Sequence, residues 1–257
     1  MTQQGNLILT TDTARLPLVL RQRIDGYWAR YLNCPSETLR QTGNHVFTSP
    51  QVSGLFAIKT DTGWTAALSP GIDPAVIERI AALPLDRADS VATAHAILRQ
   101  YGLTQPYGPA QINYCTPDSI TTGKPIPYRP LTATDRAEVA RFQAELGRSD
   151  WDFADHETWR ANFGIFAGER LVCASQVRVW DDVIAEVFTD TVSDYRQRGY
   201  AVELTRIATQ WILNETPWIP QTDAQLDLVP SIRIMNRIGF QLYGWFMMAG
   251  LADSNIS

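Results

Sequence analysis

One stretch constrains this chain more than any other. A β-rich run ends at Thr191-Val192, a polar loop Ser193-Asp194-Tyr195-Arg196-Gln197-Arg198 follows, then Gly199, then an amphipathic pattern to Asn214. Leu204, Ile207, Ala208, Trp211 and Ile212 recur at helical spacing, so residues 200–214 read as a helix with one apolar face. A strand, a tight loop and a helix start bring several backbone N–H groups to one point, where the helix dipole adds partial positive charge. Such a corner fits a pyrophosphate. Gly199 lets the backbone approach phosphate oxygens, Ala201 keeps the first turn thin, and Arg196 and Arg198 can add charge-assisted contacts. The candidate phosphate contacts are therefore Arg196, Gln197, Arg198, Gly199, Tyr200 and Ala201.

The rest of the chain surrounds this corner with short elements. A helix is expected from about Thr13 to Tyr31, a short helix, capped by Ser36, through Arg40, and a hairpin of 54–59 and 64–69 joined by Thr60-Asp61-Thr62-Gly63. Asp73-Pro74 starts a helix to about Leu83, another covers Ser90 to Tyr101, and Ala110–Cys115 reads as a strand. Residues 116–130 hold Pro117, Gly123, Pro125, Pro127 and Pro130, a linker signature that places a domain boundary near 122. Beyond it come a strand at 128–131, helices at 134–146 and 156–163, and strands at 164–167, 171–180 and 183–192. After the long helix, a strand at 226–229, a helix at 231–238 and a strand at 241–249 complete the order. The expected architecture is α+β: residues 123–257 form a mixed, mostly antiparallel sheet with helices on both faces, preceded by a smaller α+β domain over 1–122.

Composition narrows the function classes. A net charge of −5 and a pI near 5.2 argue against a nucleic-acid partner, which wants a basic face. No apolar run approaches the length of a membrane span, and the N-terminus lacks a basic start followed by an apolar stretch, so a cytoplasmic location is expected. Cys34, Cys115 and Cys173 are scattered and odd in number, as reduced thiols are, and His45, His95 and His156 show no metal-ligand spacing. No metal is expected.

Arg196, Gly199 and Ala201 reproduce the spacing of a longer pattern: arginine or glutamine, two residues, glycine, one residue, then glycine or alanine. A long strand precedes it, Tyr195 supplies the aromatic residue favoured there, and Ser231 stands eight residues before Gly239-Phe240. Together these features resemble motif A and the final helix of the GCN5-related N-acetyltransferase superfamily, over about Tyr128 to Ala249. The resemblance implies acetyl-CoA as cofactor, bound where two neighbouring parallel strands splay apart, by analogy 183–192 and 226–229. Its pantetheine arm would lie along the first strand, which makes Thr189, Thr191 and Val192 contacts. Ser231 would complete the cofactor set.

Acyl transfer to an amine needs a base for the nucleophile and a proton for the departing thiolate. Glu186 and Asp190 stand at i and i+4 on the expected cofactor strand, so alternation puts both on one face. Glu186 resembles the strand glutamate that many members use as base, directly or through water. Two positions depart from the family: Leu228 stands where many members have a cofactor-contacting asparagine, and Met235 where many have a tyrosine acid. Water, or Tyr243 on the last strand, would then protonate the thiolate. Trp151, Phe153, Trp159 and Phe163, with Asp150, Asp152, Asp155 and Glu157, fall in the region that covers the acceptor in this family. The expected function is transfer of acetyl from acetyl-CoA to a primary amine of a small molecule or peptide. A non-catalytic acyl-CoA-binding module and another acyl-CoA-dependent acyltransferase are the alternatives. The N-terminal half carries no arginine-glycine loop. It reads as a degenerate copy of the same fold that shapes the acceptor cleft or makes a homodimer contact.

Overall fold

The structure is a computed structural model and describes residues 16–84, 90–147 and 159–251. Two units emerge. Unit 1 holds the described residues up to Asn113 with Asp223–Val229 and those from Gln241 onward; unit 2 holds Tyr114–Thr222 and Pro230–Phe240.

In unit 1, helix α1 (Leu18–Leu32) leads through a 3-10 turn at Ser36–Arg40 to strands β1 (Gly43–Thr48), β2 (Leu55–Lys59) and β3 (Gly63–Leu68). Helices α2 (Pro74–Ala81) and α3 (Val91–Gln100) and strand β4 (Leu103–Tyr114) follow, and β10 (Gln241–Leu251) returns to pair antiparallel with β2. The local chemistry is what the residue types require. Asp73 accepts from the Ala75 N–H at 2.8 Å with Pro74 at the helix start, and Ser90 caps α3 through the Thr93 N–H at 3.1 Å. Strand β2 is apolar from Leu55 to Ile58 because both its faces are covered there. Leu55 and Ala57 pack with Ile80, Ala94 and Leu98 of α2 and α3. On the other face, Phe56 stacks between Trp28 of α1 and Phe246 of β10, with centroids 5.5 and 5.4 Å away. Strand β1 was not expected from sequence; it pairs parallel with β3 from Gly43↔Gly63 onward. Its residues are only half-buried, so they lack the apolar alternation that marks a strand.

Unit 2 opens with β5 (Arg129–Pro130), a 3-10 turn at Ala133–Asp135 and helix α4 (Arg136–Leu146). Thr132 and Asp135 form a reciprocal capping box, and Arg129 braces the Asp135 carboxylate. That guanidinium holds Asp135 well below the usual carboxylate range. A folded-state pKa below the unfolded one adds stability above about pH 4, which fades as pH falls through the acid range. Asp135→Asn should therefore cost about 1 kcal/mol at pH 7, typical of a lost cap, and less at pH 3; urea midpoints at the two pH values check this.

Strands β6 (Trp159–Ala167), β7 (Arg170–Trp180) and β8 (Ile184–Thr191) form an antiparallel meander beside β5, and β9 (Ile219–Gln225) joins β8 in parallel. Helix α5 (Tyr200–Glu215) buries Leu204, Ala208 and Ile212 against the β6–β8 residues. Helix α6 is Val229–Ile238. The fold class expected from sequence holds: a mixed, mostly antiparallel sheet with central parallel strands, and helices packed on it.

Two expected elements are corrected. Residues 159–163, expected in a helix, begin β6, and the ladder to β7, with a register shift between Trp159 and Ala161, decides for the strand. The strand expected at 226–229 is a turn and a helix start, with Pro230 in the first turn of α6. The strand next to β8 is 219–225, a run too polar to announce itself. Trp151, Phe153, Asp150, Asp152, Asp155, His156 and Glu157 lie outside the described residues.

Candidate functional site: a strand fork that runs into a helix start

The parallel β8–β9 ladder consists of three pairs, Ile184↔Ile219, Ala185↔Pro220 and Glu186↔Gln221. Beyond them the Thr222 hydroxyl reaches the Val187 carbonyl at 3.5 Å, the limit of a hydrogen bond. The backbone directions follow from two bonds. The Val192 N–H points to β7, donating to Val172 O at 3.1 Å, while Val183 O accepts from Ile219 on the β9 side. By alternation, the backbone groups of Val187, Thr189 and Thr191 point toward the β9 side, past the end of the ladder.

That edge leads into the loop singled out above. A 3-10 turn at Ser193–Tyr195 passes to extended Arg196, left-handed Gln197 (φ 63°) and left-handed Gly199 (φ 84°). Gly199 is the N-cap of α5 and no side chain caps it, so the first N–H groups of the helix keep their donors for another acceptor. A Cβ on Gly199 would touch no atom of the chain; what demands glycine is the positive φ. The arginines brace the loop. Arg196 Nε donates to the Thr191 carbonyl at 3.1 Å, and Arg198 donates to the Asp194 carbonyl at 3.0 Å while lying 4.4 Å from the Tyr195 ring centroid. Arg170 grips the Asp194 side chain at 2.9 Å and holds its carboxyl below the usual range. Tyr195 and Tyr200 stack at 6.4 Å across the loop, and Ala201 is half-buried in the first turn.

The other cofactor candidates divide by role. The Thr189 hydroxyl stands in a chain, receiving from Thr205 of α5 at 2.8 Å and lying 3.0 Å from Ser175 Oγ, so it faces the helix. Thr191 donates to Cys173 Sγ at 3.2 Å; burial pushes that thiol up to about 12, so it stays protonated. Val192 is fully buried, and its N–H and carbonyl bond Val172 and Tyr195. Ser231 is half-buried in the first turns of α6.

Glu186 and Asp190 share the face of β8 opposite Thr189. Glu186 is 6% exposed, lies across from Arg178 on β7 and Gln221 on β9, and accepts from Trp180 Nε1 at 2.9 Å. Gln221 in turn accepts from the Tyr114 hydroxyl at 2.6 Å. Asp190 is half-buried across from Ala174. Tyr243 belongs to unit 1, fully buried; its hydroxyl donates to Asp25 at 2.8 Å, and burial raises its pKa well above the usual tyrosine value. Met235 is buried in α6 and Leu228 is exposed before it. Sequence reasoning missed Trp180, Arg178 and Thr205. A two-residue Asp181-Asp182 turn would set 178 opposite 185; the observed turn spans 181–183 and sets 178 opposite 186, so the first two followed only from the register.

No protein-family model and no curated protein matches the sequence. Solved structures do match. A GCN5-related N-acetyltransferase from Kribbella flavida is similar at 17% identity and a TM-score of 0.52, with 92% of this chain and 97% of that one covered. An acetyltransferase of the GNAT family from Colwellia psychrerythraea is similar at 11% identity and a TM-score of 0.50, covering 79% and 83%. At such identities the likeness speaks for the fold: this chain has the fold of the GCN5-related N-acetyltransferases. Among the described residues, no helix is long and apolar enough to cross a membrane, and no group of three or more His, Cys, Asp or Glu side chains could hold a metal ion.

Proposed function

We propose that the chain is a GCN5-related N-acetyltransferase that binds acetyl-CoA in unit 2 and passes the acetyl group to a primary amine of a small molecule or peptide. The observation that carries this reading is the fork. A strand edge whose ladder stops after three pairs runs directly into an uncapped helix start. The edge at Val187, Thr189 and Thr191 suits the amide groups of a pantetheine arm. The N–H groups at Gly199, Tyr200 and Ala201 suit a pyrophosphate. Arg196 and Arg198 support the reading by fixing the loop, and Gln197 and Ser231 are assigned as further contacts.

In this reading Glu186 takes a proton from the acceptor ammonium, directly or through water. The amine nitrogen then attacks the thioester carbonyl carbon, the C–N bond forms, the C–S bond breaks, and the second proton of the nitrogen passes to the departing thiolate. Asp190, on the same strand face, adds negative potential that favours a cationic acceptor. We assign return of the proton to water, because the Tyr243 phenol already donates to Asp25. The second reading is a non-catalytic acyl-CoA-binding module, favoured by the buried Met235 where many members have a tyrosine.

Gly199→Glu tests the cofactor site. A side chain there is strained at φ 84° and sets a carboxylate against the phosphates. Acetyl-CoA should raise the melting temperature of the wild-type protein and leave that of the variant unchanged. Equal shifts in both proteins would sink the assignment. Release of free thiol with a panel of amines separates the enzyme from the binding module.

A further inference from the structure

We propose that Trp180 is a positioning residue for Glu186, and that Arg178 locks Trp180 in the orientation this requires. The inference rests on the reading of Glu186 as base. The hairpin between β7 and β8 turns at Asp181 and Asp182, both left-handed at φ 48° and 52°, with Val183 N–H donating to Trp180 O at 3.0 Å. Asp tolerates that conformation, and the turn sets the register Trp180↔Ile184 and Arg178↔Glu186. Trp180 and Glu186 are thus diagonal neighbours on one sheet face, within reach for a long side chain. The indole Nε1 spans the gap to Glu186 Oε2 at 2.9 Å.

An indole N–H can only donate, so this bond favours the carboxylate over the carboxylic acid. At 6% exposure Glu186 is little screened by water, so the bond acts in a low-dielectric setting. The Arg178 guanidinium lies 3.9 Å from the Trp180 ring centroid, a stack that restrains the indole and places positive charge near the carboxylate. Among the described residues, further groups belong to the same strands and to the helix packed on them. Asp190 lies four residues along the same face, Gln221 on β9 is neutral and bonded by Tyr114, and α5, whose buried charges Glu203 and Arg206 pair with each other, packs on the opposite, Thr189 face of β8. Trp180 and Arg178 supply the donor and the positive charge; Asp190 opposes them.

The test is a pH titration of the full-length protein. With glutamate labelled at its carboxyl carbon, and Glu186 assigned through Glu186→Gln, the Glu186 midpoint should rise by about 1 unit in Trp180→Phe, the size expected for one charge-assisted hydrogen bond. Where transfer is measurable, the acid limb of kcat/KM should rise by the same amount while KM for acetyl-CoA holds. An unchanged Glu186 midpoint overturns the proposal. If Trp180→Phe does not fold, the wild-type Trp180 indole N–H resonance decides. It should titrate with Glu186 and lose that titration in Glu186→Gln; an indole signal blind to Glu186→Gln overturns the proposal. Neither resonance needs turnover. A protein that transfers nothing would therefore refute the base reading while leaving this hydrogen bond testable.

Discussion

Glu186→Gln should lower kcat for acetyl transfer by roughly 10²- to 10⁴-fold, the usual contribution of a positioned general base, with acetyl-CoA binding unchanged. The substitution isolates the charge. An amide oxygen can still accept from the Trp180 N–H, so the bond seen at 2.9 Å has a replacement and the fold should persist with a melting temperature near wild type. What disappears is the ability to take a proton from the ammonium. Thiol release at saturating acetyl-CoA and amine reads kcat, and calorimetry reads cofactor affinity. Full activity in the variant would exclude Glu186 as the base. Loss of cofactor binding would mean that the residue acts in the cleft rather than in the chemistry.

Arg206→Leu should destabilise the protein by about 3–5 kcal/mol, the cost of leaving a buried charge without its partner. Arg206 and Glu203 pair within α5, with side chains 4% and 9% exposed. The Glu203 carboxylate also accepts from the Lys124 N–H at 3.0 Å, and Arg206 donates to the Thr121 hydroxyl at 3.3 Å. The proline-rich stretch is thereby tied to the helix that begins after Gly199, and the Thr121 N–H bonds the Ile238 carbonyl of α6 as well. A Cβ at Gly123 would lie 2.3 Å from Glu203 Oε2, so any side chain there would have to displace the buried pair. The double variant Arg206→Leu, Glu203→Leu should recover much of the loss, since replacing both charges removes the uncompensated one. Urea midpoints of the three proteins measure this. Equal stability of Arg206→Leu and wild type would show that the pair contributes nothing.

Particular residues show which parts of the site could be read in advance. Gly199 and the helix after it were legible because their causes are local: a positive φ needs glycine, and a 3.6-residue period needs an amphipathic helix. The common face of Glu186 and Asp190 followed from alternation alone. The identity of the strand beside β8 did not. Ile219–Gln225 carries proline, threonine and glutamines, and its strand state comes from pairing with β8 rather than from its own composition. The apolar Leu228-Val229 drew the expectation to the wrong place, and both are exposed.

The sequence by itself determined the loop that ends at Gly199, the helix that follows it, the meander before it and the face that carries the carboxylates. Each depends on residues within a few positions of one another. Only the tertiary structure decided that the β8–β9 ladder stops after Glu186, that Trp180 bonds that carboxylate, and that the 241–251 strand pairs with 55–59. Those facts are set by register between segments distant in sequence, where a shift of one residue reverses every side chain. Burial and pairing across the whole chain select that register, and no local pattern encodes it.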